Sequence, residues 1–69
     1  MKRVYLDSSA IEAVAYDEKE RSLIVEFRDG DSYRYFHVPG MVYQELLSAE
    51  SAGAFWNGVK DHYRYERLD

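Results

Sequence analysis

The chain lacks most of the features that would assign it to a functional class at once. Its 69 residues include no cysteine, so neither a disulfide nor a thiolate metal site is available to it. No apolar run approaches the roughly 20 residues that a membrane-spanning helix needs. Asp7 also interrupts the first apolar residues before a secretion signal can form. These absences predict one soluble, cytoplasmic domain.

Positive charge is also scarce. Nine Lys and Arg residues stand against 13 Asp and Glu residues, which gives a net charge of −4. General binding to a nucleic-acid backbone through counterion release is therefore disfavoured. Any contact with a nucleic acid must be local.

Patterns typical of catalysis and metal binding are missing as well. His37 and His62 are the only histidines, and neither has a second strong ligand at metal-binding spacing. The carboxylates fall in loops, away from any apolar stretch that could perturb them. A chain this small also has little room for a deep pocket. We therefore expect a protein that is not an enzyme and needs no cofactor.

What the chain does have is apolar and aromatic, with 46% hydrophobic residues and seven tyrosines. Residues 11–16 are mostly apolar or small and predict a strand, and the charge cluster at 17–21 predicts the loop after it. The next segment alternates at Leu23, Val25 and Phe27, which is the period of a half-buried strand. Two consecutive antiparallel strands are therefore expected.

An Asp-Gly pair follows and marks a tight hairpin, for which two registers compete. A two-residue loop would place Arg34 opposite Val25 and bury the arginine. A three-residue loop, with Gly30 at positive φ, instead places Tyr33 opposite Val25 and turns Tyr35 to the same face. The second register is favoured because it leaves the charge of Arg34 solvated on the other face.

The second half of the chain predicts two helices. Pro39 should end the third strand at Val38, since proline cannot donate to a strand ladder. Apolar residues at helical spacing over 40–49 predict a short amphipathic helix. Ser51 is a suitable N-cap for a second helix, whose apolar spacing continues to Tyr63.

The element order therefore predicts an α+β domain: a three-stranded antiparallel β-meander followed by two short α-helices packed on one face. One domain should span residues 1–69, with its core at about 4–68. A Tyr-Arg-Tyr triplet occurs twice, at 33–35 on the third strand and at 63–65 at the end of the last helix. Because the two settings differ, the recurrence is not an internal duplication.

Short motifs along the chain resemble those of the KTSC domain in their order and spacing. The first half contributes Ser8-Ser9-x-Ile11, Tyr16-Asp17, Leu23-x-Val25-x-Phe27-x-x-Gly30, Tyr33-x-Tyr35 and Val38-Pro39. The second half contributes Val42-Tyr43, Leu46-Leu47, Ala49-x-Ser51-x-Gly53, Phe55-x-Asn57 and Tyr63. The likeness covers nearly the whole chain.

The resemblance implies a small domain that occurs at the C-terminus of some lysyl-tRNA synthetases and as standalone bacterial proteins. Through those fusions it suggests RNA as a partner. The family's central Tyr-x-Tyr motif corresponds to Tyr33 and Tyr35. A basic residue is common in the family after the Ser-x-Gly element, whereas this chain has Ala54, which weakens an anion site there.

The first candidate site is the third strand. The rings of Tyr33 and Tyr35 could stack bases at about 1–3 kcal/mol each, and Arg34 could meet a phosphate. The favoured register nevertheless indicates that both tyrosines are core residues. On the opposite face, Phe36 and Ile24 flank the arginine and could form a partner surface.

Two further candidates lie near the C-terminus. Backbone N–H groups at Ser51 and Gly53 could hold an anion, although ordinary capping explains the same residues. The segment 60–67 is the only locally basic stretch, and a solvated helix end is the simpler interpretation of it. Its possible contact residues are Lys60, Arg64 and Arg67.

Two hypotheses about function follow. The first is a non-enzymatic binding module with RNA as its partner, as the resemblance suggests. The second is a module for protein interaction or self-association, using the exposed sheet face or the free edge of the third strand. Net charge favours the second hypothesis and the tyrosine triplets favour the first.

Overall fold

A computed structural model describes residues 1–68 and shows a single antiparallel sheet with two α-helices. The elements are β1 (Arg3–Tyr5), β2 (Ile11–Asp17), β3 (Ser22–Phe27), β4 (Ser32–Tyr35), α1 (Gly40–Ser48), α2 (Ala52–Val59), a 3₁₀ turn (Lys60–His62) and β5 (Tyr65–Arg67). The strands pair in the order β1-β2-β3-β4-β5, so the sheet is an uninterrupted meander.

The α+β class is confirmed, but the sheet has five strands where three were predicted. The two additional strands, β1 and β5, have three residues each and form the two edges of the sheet. Three residues contain too little alternation to be recognised as a strand in isolation. They become strands because each pairs with a longer neighbour.

The hairpin between β3 and β4 has the three-residue register. Val25 pairs with Tyr33, and the N–H of Phe27 donates to the carbonyl of Asp31 at 2.8 Å. Gly30 adopts a φ of 104°, which L side chains rarely tolerate. The prediction that the β4 tyrosines face the helices and Arg34 faces away is confirmed.

β4 ends at Tyr35, three residues before the predicted end at Val38. His37 has a φ of 57°, and this left-handed conformation breaks the extended chain before proline is reached. The N–H of Val38 then donates to the carbonyl of Arg21 at 2.8 Å. The turn places Val38 in the core, where its side chain is fully buried.

The last helix is shorter than predicted, and the interpretation of 60–67 as a helix end is wrong. α2 ends at Val59, and Tyr63 is already extended, with φ −120° and ψ 145°. Tyr63 fitted the helical spacing because its ring does lie on Trp56, with parallel planes and centroids 5.9 Å apart. It reaches that position through the 3₁₀ turn, after which the chain forms β5.

β5 covers the edge of β4 that was expected to be free. The N–H of Phe36 donates to the carbonyl of Arg64, and the N–H of Leu68 donates to that of Ser32, both at 2.9 Å. Self-association through the edge of the third predicted strand is therefore excluded, because that edge is already paired within the chain. The unpaired edges belong to β1 and β5.

Both helices contribute to one core on the same face of the sheet. Leu46 of α1 and Trp56 of α2 are buried against Val14, Leu23 and Val25. Burying each such side chain contributes about 1.5–3 kcal/mol. This layer is the main source of stability in a chain without disulfides.

The start of α2 packs closely on the loop between β1 and β2. A Cβ atom added to Gly53 would lie only 2.8 Å from the Cβ of Ala10, so no larger residue fits without movement. The Ser8 hydroxyl accepts from the N–H of Ala10 at 3.2 Å. Arg28 donates to the carbonyls of Ser8 (2.5 Å) and Leu6 (3.1 Å), which fastens the same loop to the sheet.

The opposite face of the sheet, here called the outer face, is crossed by ion pairs. Ala13 and Ala15 of β2 lie on this face. Because these side chains are small, Arg3 on β1 reaches across β2 to an ion pair with Glu26 on β3. Charged side chains therefore cover much of the outer face, and within residues 1–68 no second layer of helices packs on it.

Candidate functional site

The structure places the first Tyr-Arg-Tyr triplet on β4 and the last residue of the second triplet, Tyr65, on the neighbouring strand β5. In the β4–β5 ladder, Tyr35 pairs with Tyr65 and Arg34 pairs with Glu66. Paired residues of a ladder point to the same face of the sheet. The tyrosines therefore meet on the helix side, and the charged pair lies on the outer face.

Four rings line a groove on the helix side. Tyr33 lies nearly perpendicular to Tyr65 and to Phe27, with centroids 5.5 and 5.9 Å away. Tyr35 lies 5.9 Å from Tyr65. The groove has a volume of about 150 Å³, and its lining is Phe27, Tyr33, Tyr35, Tyr65, Lys60 and Asp61. We call this set the tyrosine groove.

Tyr35 forms the buried part of the tyrosine groove. Its side chain is 4% exposed, and its ring lies edge-on to Trp56 at 4.9 Å. Burial raises the pKa of the Tyr35 phenol, and the nearby Trp56 N–H opposes part of that shift. Within residues 1–68 that indole nitrogen has no hydrogen-bond partner of normal geometry. Tyr35 is thus a core residue, as its register predicted.

Tyr65 forms the open part of the groove. Its side chain is 62% exposed, although its ring contacts two others. Tyr33 is half-buried between the two extremes. Lys60 and Asp61 follow α2 directly and add two residues of opposite charge to the lining of the groove. The arrangement offers an accessible aromatic surface with both kinds of charge beside it.

The predicted contact residues divide between the two faces. Tyr33, Tyr35 and Lys60 line the tyrosine groove. Arg34 lies on the outer face in an ion pair with Glu66 at 2.9 Å, so its guanidinium is already engaged within the chain. The basic residues do not form one patch.

Phe36 and Arg64 also lie together, at the end of β4. They line a shallow cavity of about 210 Å³ with His37. Phe36 is half-buried, and Arg34, two residues before it on β4, lies directly opposite Ile24 on the outer face. The apolar surface expected there is therefore interrupted by charge.

Arg67 is placed at the far end of β5. It pairs with Tyr33 in the ladder, and its guanidinium lies 2.7 Å from the carboxylate of Asp31. It therefore lies on the same face of the sheet as the tyrosine groove.

Ser51 and Gly53 have structural contacts of their own. The Ser51 hydroxyl accepts from the N–H of Ala54 at 3.2 Å and caps α2. Gly53 faces Ala10 in the loop after β1. These contacts weaken the case for an anion site at this helix start.

The histidines lie apart and are exposed, His37 after β4 and His62 in the 3₁₀ turn. Within residues 1–68, no group of three or more His, Asp or Glu side chains is placed to hold a metal ion. No helix in the same range is long and apolar enough to cross a bilayer.

Three residues of the tyrosine groove were missed as contacts: Phe27, Asp61 and Tyr65. The alternation of Tyr63, Tyr65 and Arg67 was a signal for a strand, but helical spacing from Trp56 onward masked it. Pairing between residues thirty positions apart has no local signature. The sequence shows how many aromatic residues the chain has, but it does not show which of them meet in the groove.

The fold and the groove together define a small α+β domain: a five-stranded meander with two helices on one side and one aromatic groove. The sequence model of the KTSC domain family matches residues 7–65 of this chain. The chain belongs to the KTSC domain family.

Similar proteins support this assignment. A protein of Stutzerimonas stutzeri is 48% identical over 71 residues, covering 100% of both chains. The lysine–tRNA ligase of Nostoc punctiforme is 35% identical over 63 residues, which are 90% of this chain but 11% of the ligase. The crystal structure of a KTSC domain protein from Yersinia pestis superposes with a TM-score of 0.94 at 33% identity, covering 99% of this chain and 97% of that one. The predicted family resemblance is confirmed.

Proposed function

We propose that this KTSC domain is a non-catalytic module that binds single-stranded RNA, and that an unstacked base lies on Tyr65 at the open end of the tyrosine groove. The observation that carries the proposal is one groove lined by Tyr33 and Tyr35 of the first triplet and by Tyr65 of the second, with Lys60 also in its lining. Proteins commonly recognise single-stranded RNA by stacking splayed bases on aromatic side chains.

The exposure of the tyrosines differs along the groove, and this difference supports contact with a ligand at the open end only. Tyr35 is held by Trp56 and is too buried to receive a base. Tyr65 keeps most of its surface accessible while its contacts with Tyr33 and Tyr35 limit its motion. A ring that is already held in place loses little conformational entropy when a base stacks on it.

The charged rim supplies the remaining chemistry. Lys60 can approach a phosphate next to the stacked base, and Asp61 can accept a hydrogen bond from the amino group of a base. A net charge of −4 disfavours long-range attraction of the RNA backbone to the molecule. Binding should therefore involve few nucleotides and be moderate in affinity.

The lysine–tRNA ligases add independent support. Their names say that they act on tRNA, and each contains a segment similar to this chain as 11% of its length. A small appended domain that contacts single-stranded RNA would suit such an enzyme.

The test is a titration of short labelled RNA oligonucleotides by fluorescence anisotropy, with Tyr5 as the matched control. Tyr5 is 65% exposed and Tyr65 is 62% exposed, so the two differ mainly in their neighbours. Loss of one stacking contact, about 1–3 kcal/mol, should weaken binding by about 5- to 150-fold in Tyr65→Ala. Tyr5→Ala should bind as the parent protein does.

A Lys60→Gln variant measures the phosphate contact. For single strands, losing one phosphate contact should reduce the slope of log K against log salt by about 0.7. The proposal is wrong if tens of micromolar protein binds no RNA in low salt, or if the two tyrosine variants lose affinity equally.

A further inference from the structure

The two edges of the sheet expose aromatic and apolar side chains. Within residues 1–68, the large hydrophobic side chains that are exposed include Met1 and Tyr5 at the β1 edge, and Tyr65 and Leu68 at the β5 edge. An edge strand also presents unpaired main-chain groups, which natural proteins usually protect. The two edges differ in how well they are protected.

The hydrogen bonds of β1 show which of its groups are free. Val4 pairs with Val14, and the N–H of Leu6 donates to the carbonyl of Glu12 at 2.9 Å. In an antiparallel ladder, the main-chain N–H and C=O groups of successive residues point alternately toward the paired strand and away from it. The main-chain N–H and C=O groups of Arg3 and Tyr5 therefore point away from the sheet.

We propose that the KTSC domain forms a two-fold dimer through β1, in which the strand pairs antiparallel with β1 of a second copy about Val4. In this register Arg3 of each copy exchanges both main-chain hydrogen bonds with Tyr5 of the other. The sheets then join edge to edge, and the helices of both copies lie on the same side.

The side chains of β1 suit this register. Val4 lies on the helix side, half-buried, and meets Val4 of the second copy as a close apolar pair. On the outer face, Arg3 lies opposite Tyr5 of the second copy. Within one chain the same residues already make a cation–π contact, with the guanidinium carbon 5.3 Å from the ring centroid.

Charge does not oppose the dimer at this edge. An arginine on an edge strand normally discourages pairing. Here Arg3 is bound to Glu26 of its own chain, so its charge is largely balanced before a second copy approaches.

The β5 edge is built from similar residues but disfavours the same pairing. Arg64 and Leu68 bond to β4, so the groups of Tyr65 and Arg67 point outward. A two-fold contact about the middle of β5 would place Glu66 directly opposite Glu66 of the second copy, whereas the β1 register places Arg3 opposite the uncharged Tyr5. The ion pair of Glu66 with Arg34 balances part of its charge but leaves two carboxylates in opposed positions. Like charges in opposed positions are destabilising. The dimer is therefore specific to β1.

The experiment measures assembly of the full chain by sedimentation equilibrium across micromolar to millimolar concentrations. Because the contact is short, we expect reversible dimers with a dissociation constant of about 10 μM or weaker. Tyr5→Pro removes one outward N–H without touching the ladder to β2 and should weaken the dimer at least about tenfold. Tyr5→Phe keeps that N–H and the ring, and it should dimerise as the parent does.

Cross-linking tests the register directly. Because the chain has no native cysteine, only an introduced cysteine can form a disulfide. Val4→Cys should form a disulfide-linked dimer rapidly under mild oxidation, since the opposed Cα atoms would lie about 4.5–5.5 Å apart. Met41→Cys, at a residue 75% exposed on α1, is the control for random collision. Equal rates for the two variants contradict the proposal.

Amide exchange in the parent protein gives a readout that needs no substitution. The N–H groups of Arg3 and Tyr5 should become protected as concentration rises. A protein that stays monomeric throughout, or a dimer that survives Tyr5→Pro unchanged, overturns the proposal. None of these measurements involves RNA, so their outcome is independent of the RNA-binding test.

Discussion

The two edge strands, β1 and β5, are made from nearly the same residues and present different surfaces. Each has three residues, and each contains one arginine and one exposed tyrosine. Tyr65 lies on the helix side among other rings, whereas Tyr5 lies on the outer face beside Arg3. Two tyrosines of similar exposure therefore have different neighbours, and we propose a ligand contact only for Tyr65.

The middle residue of each strand makes a second contrast. Val4 is half-buried against the core, and Glu66 is exposed in an ion pair with Arg34. In the proposed dimer, the apolar centre of β1 allows two copies to pair, whereas the charged centre of β5 opposes the same contact. The two proposals therefore assign self-association to one edge of the sheet and a ligand contact to the tyrosine of the other.

The largest expected effect concerns α2, which connects the two sides of the molecule. Its start packs on the loop after β1, and its end leads into the turn before β5. Gly53→Ala forces a Cβ to within 2.8 Å of Ala10 and should lower the free energy of unfolding by about 1–3 kcal/mol. Chemical denaturation measures this change.

Gly58, in the same helix, is the matched control. A Cβ there meets no atom within 4 Å, so Gly58→Ala should raise the free energy of unfolding by up to about 1 kcal/mol. If both substitutions stabilise the protein, α2 is not packed tightly against the β1 side.

Much of the fold could be predicted from the sequence because it depends on local pattern. A run of apolar and small residues located β2 and alternation located β3. The requirement that Arg34 stay solvated selected the β3–β4 register, and Ser51 marked the start of α2. The edge strands could not be predicted, since three residues carry little pattern and their pairing is distant. For the same reason Tyr65 was missed in the tyrosine groove.

Substitution of two arginines, one near β1 and one on β4, should change the free energy of unfolding by smaller and unequal amounts. Arg28 donates to two carbonyls of the loop after β1, whereas Arg34 makes an exposed ion pair with Glu66 of β5. Arg28→Ala should cost about 1 kcal/mol of unfolding free energy. Arg34→Ala should cost at most about 0.5 kcal/mol. Equal costs would mean that the loop is not fastened by Arg28.

Exchanging the central residue tests the contrast between the edges. Glu66→Val gives β5 an apolar centre like that of β1, so both edges could then pair. Assemblies larger than dimers should appear in sedimentation velocity, with only a small change in stability from the lost ion pair. Glu66→Lys keeps like charges opposed and is the control. A Glu66→Val protein that assembles no further than the parent contradicts the role given to this charge.

The smallest effect is expected at alkaline pH. Burial raises the pKa of Tyr35 above its ordinary value of 10.0, so the neutral phenol is favoured in the folded state. Its contribution to stability is complete below pH 10 and is lost as pH rises above that value. Tyr35→Phe should therefore lose less stability than the parent does as pH rises above 10.0.

Tyr43 supplies the comparison for that measurement. Burial also raises its pKa, but its side chain is only half-buried, where it stacks on Tyr16 at 4.8 Å. Tyr43→Phe should reduce the loss of stability at alkaline pH by less than Tyr35→Phe does. The reverse order would mean that Tyr35 is more accessible than the groove geometry indicates.

The most direct test of the difference between the two edges is ¹⁹F NMR of protein labelled with 3-fluorotyrosine at its seven tyrosines, titrated with single-stranded RNA. The account predicts that the Tyr65 signal moves most, that Tyr33 follows to a smaller extent, and that Tyr5 stays in place. Movement of Tyr5 without Tyr65, or no movement of any tyrosine signal, would contradict it.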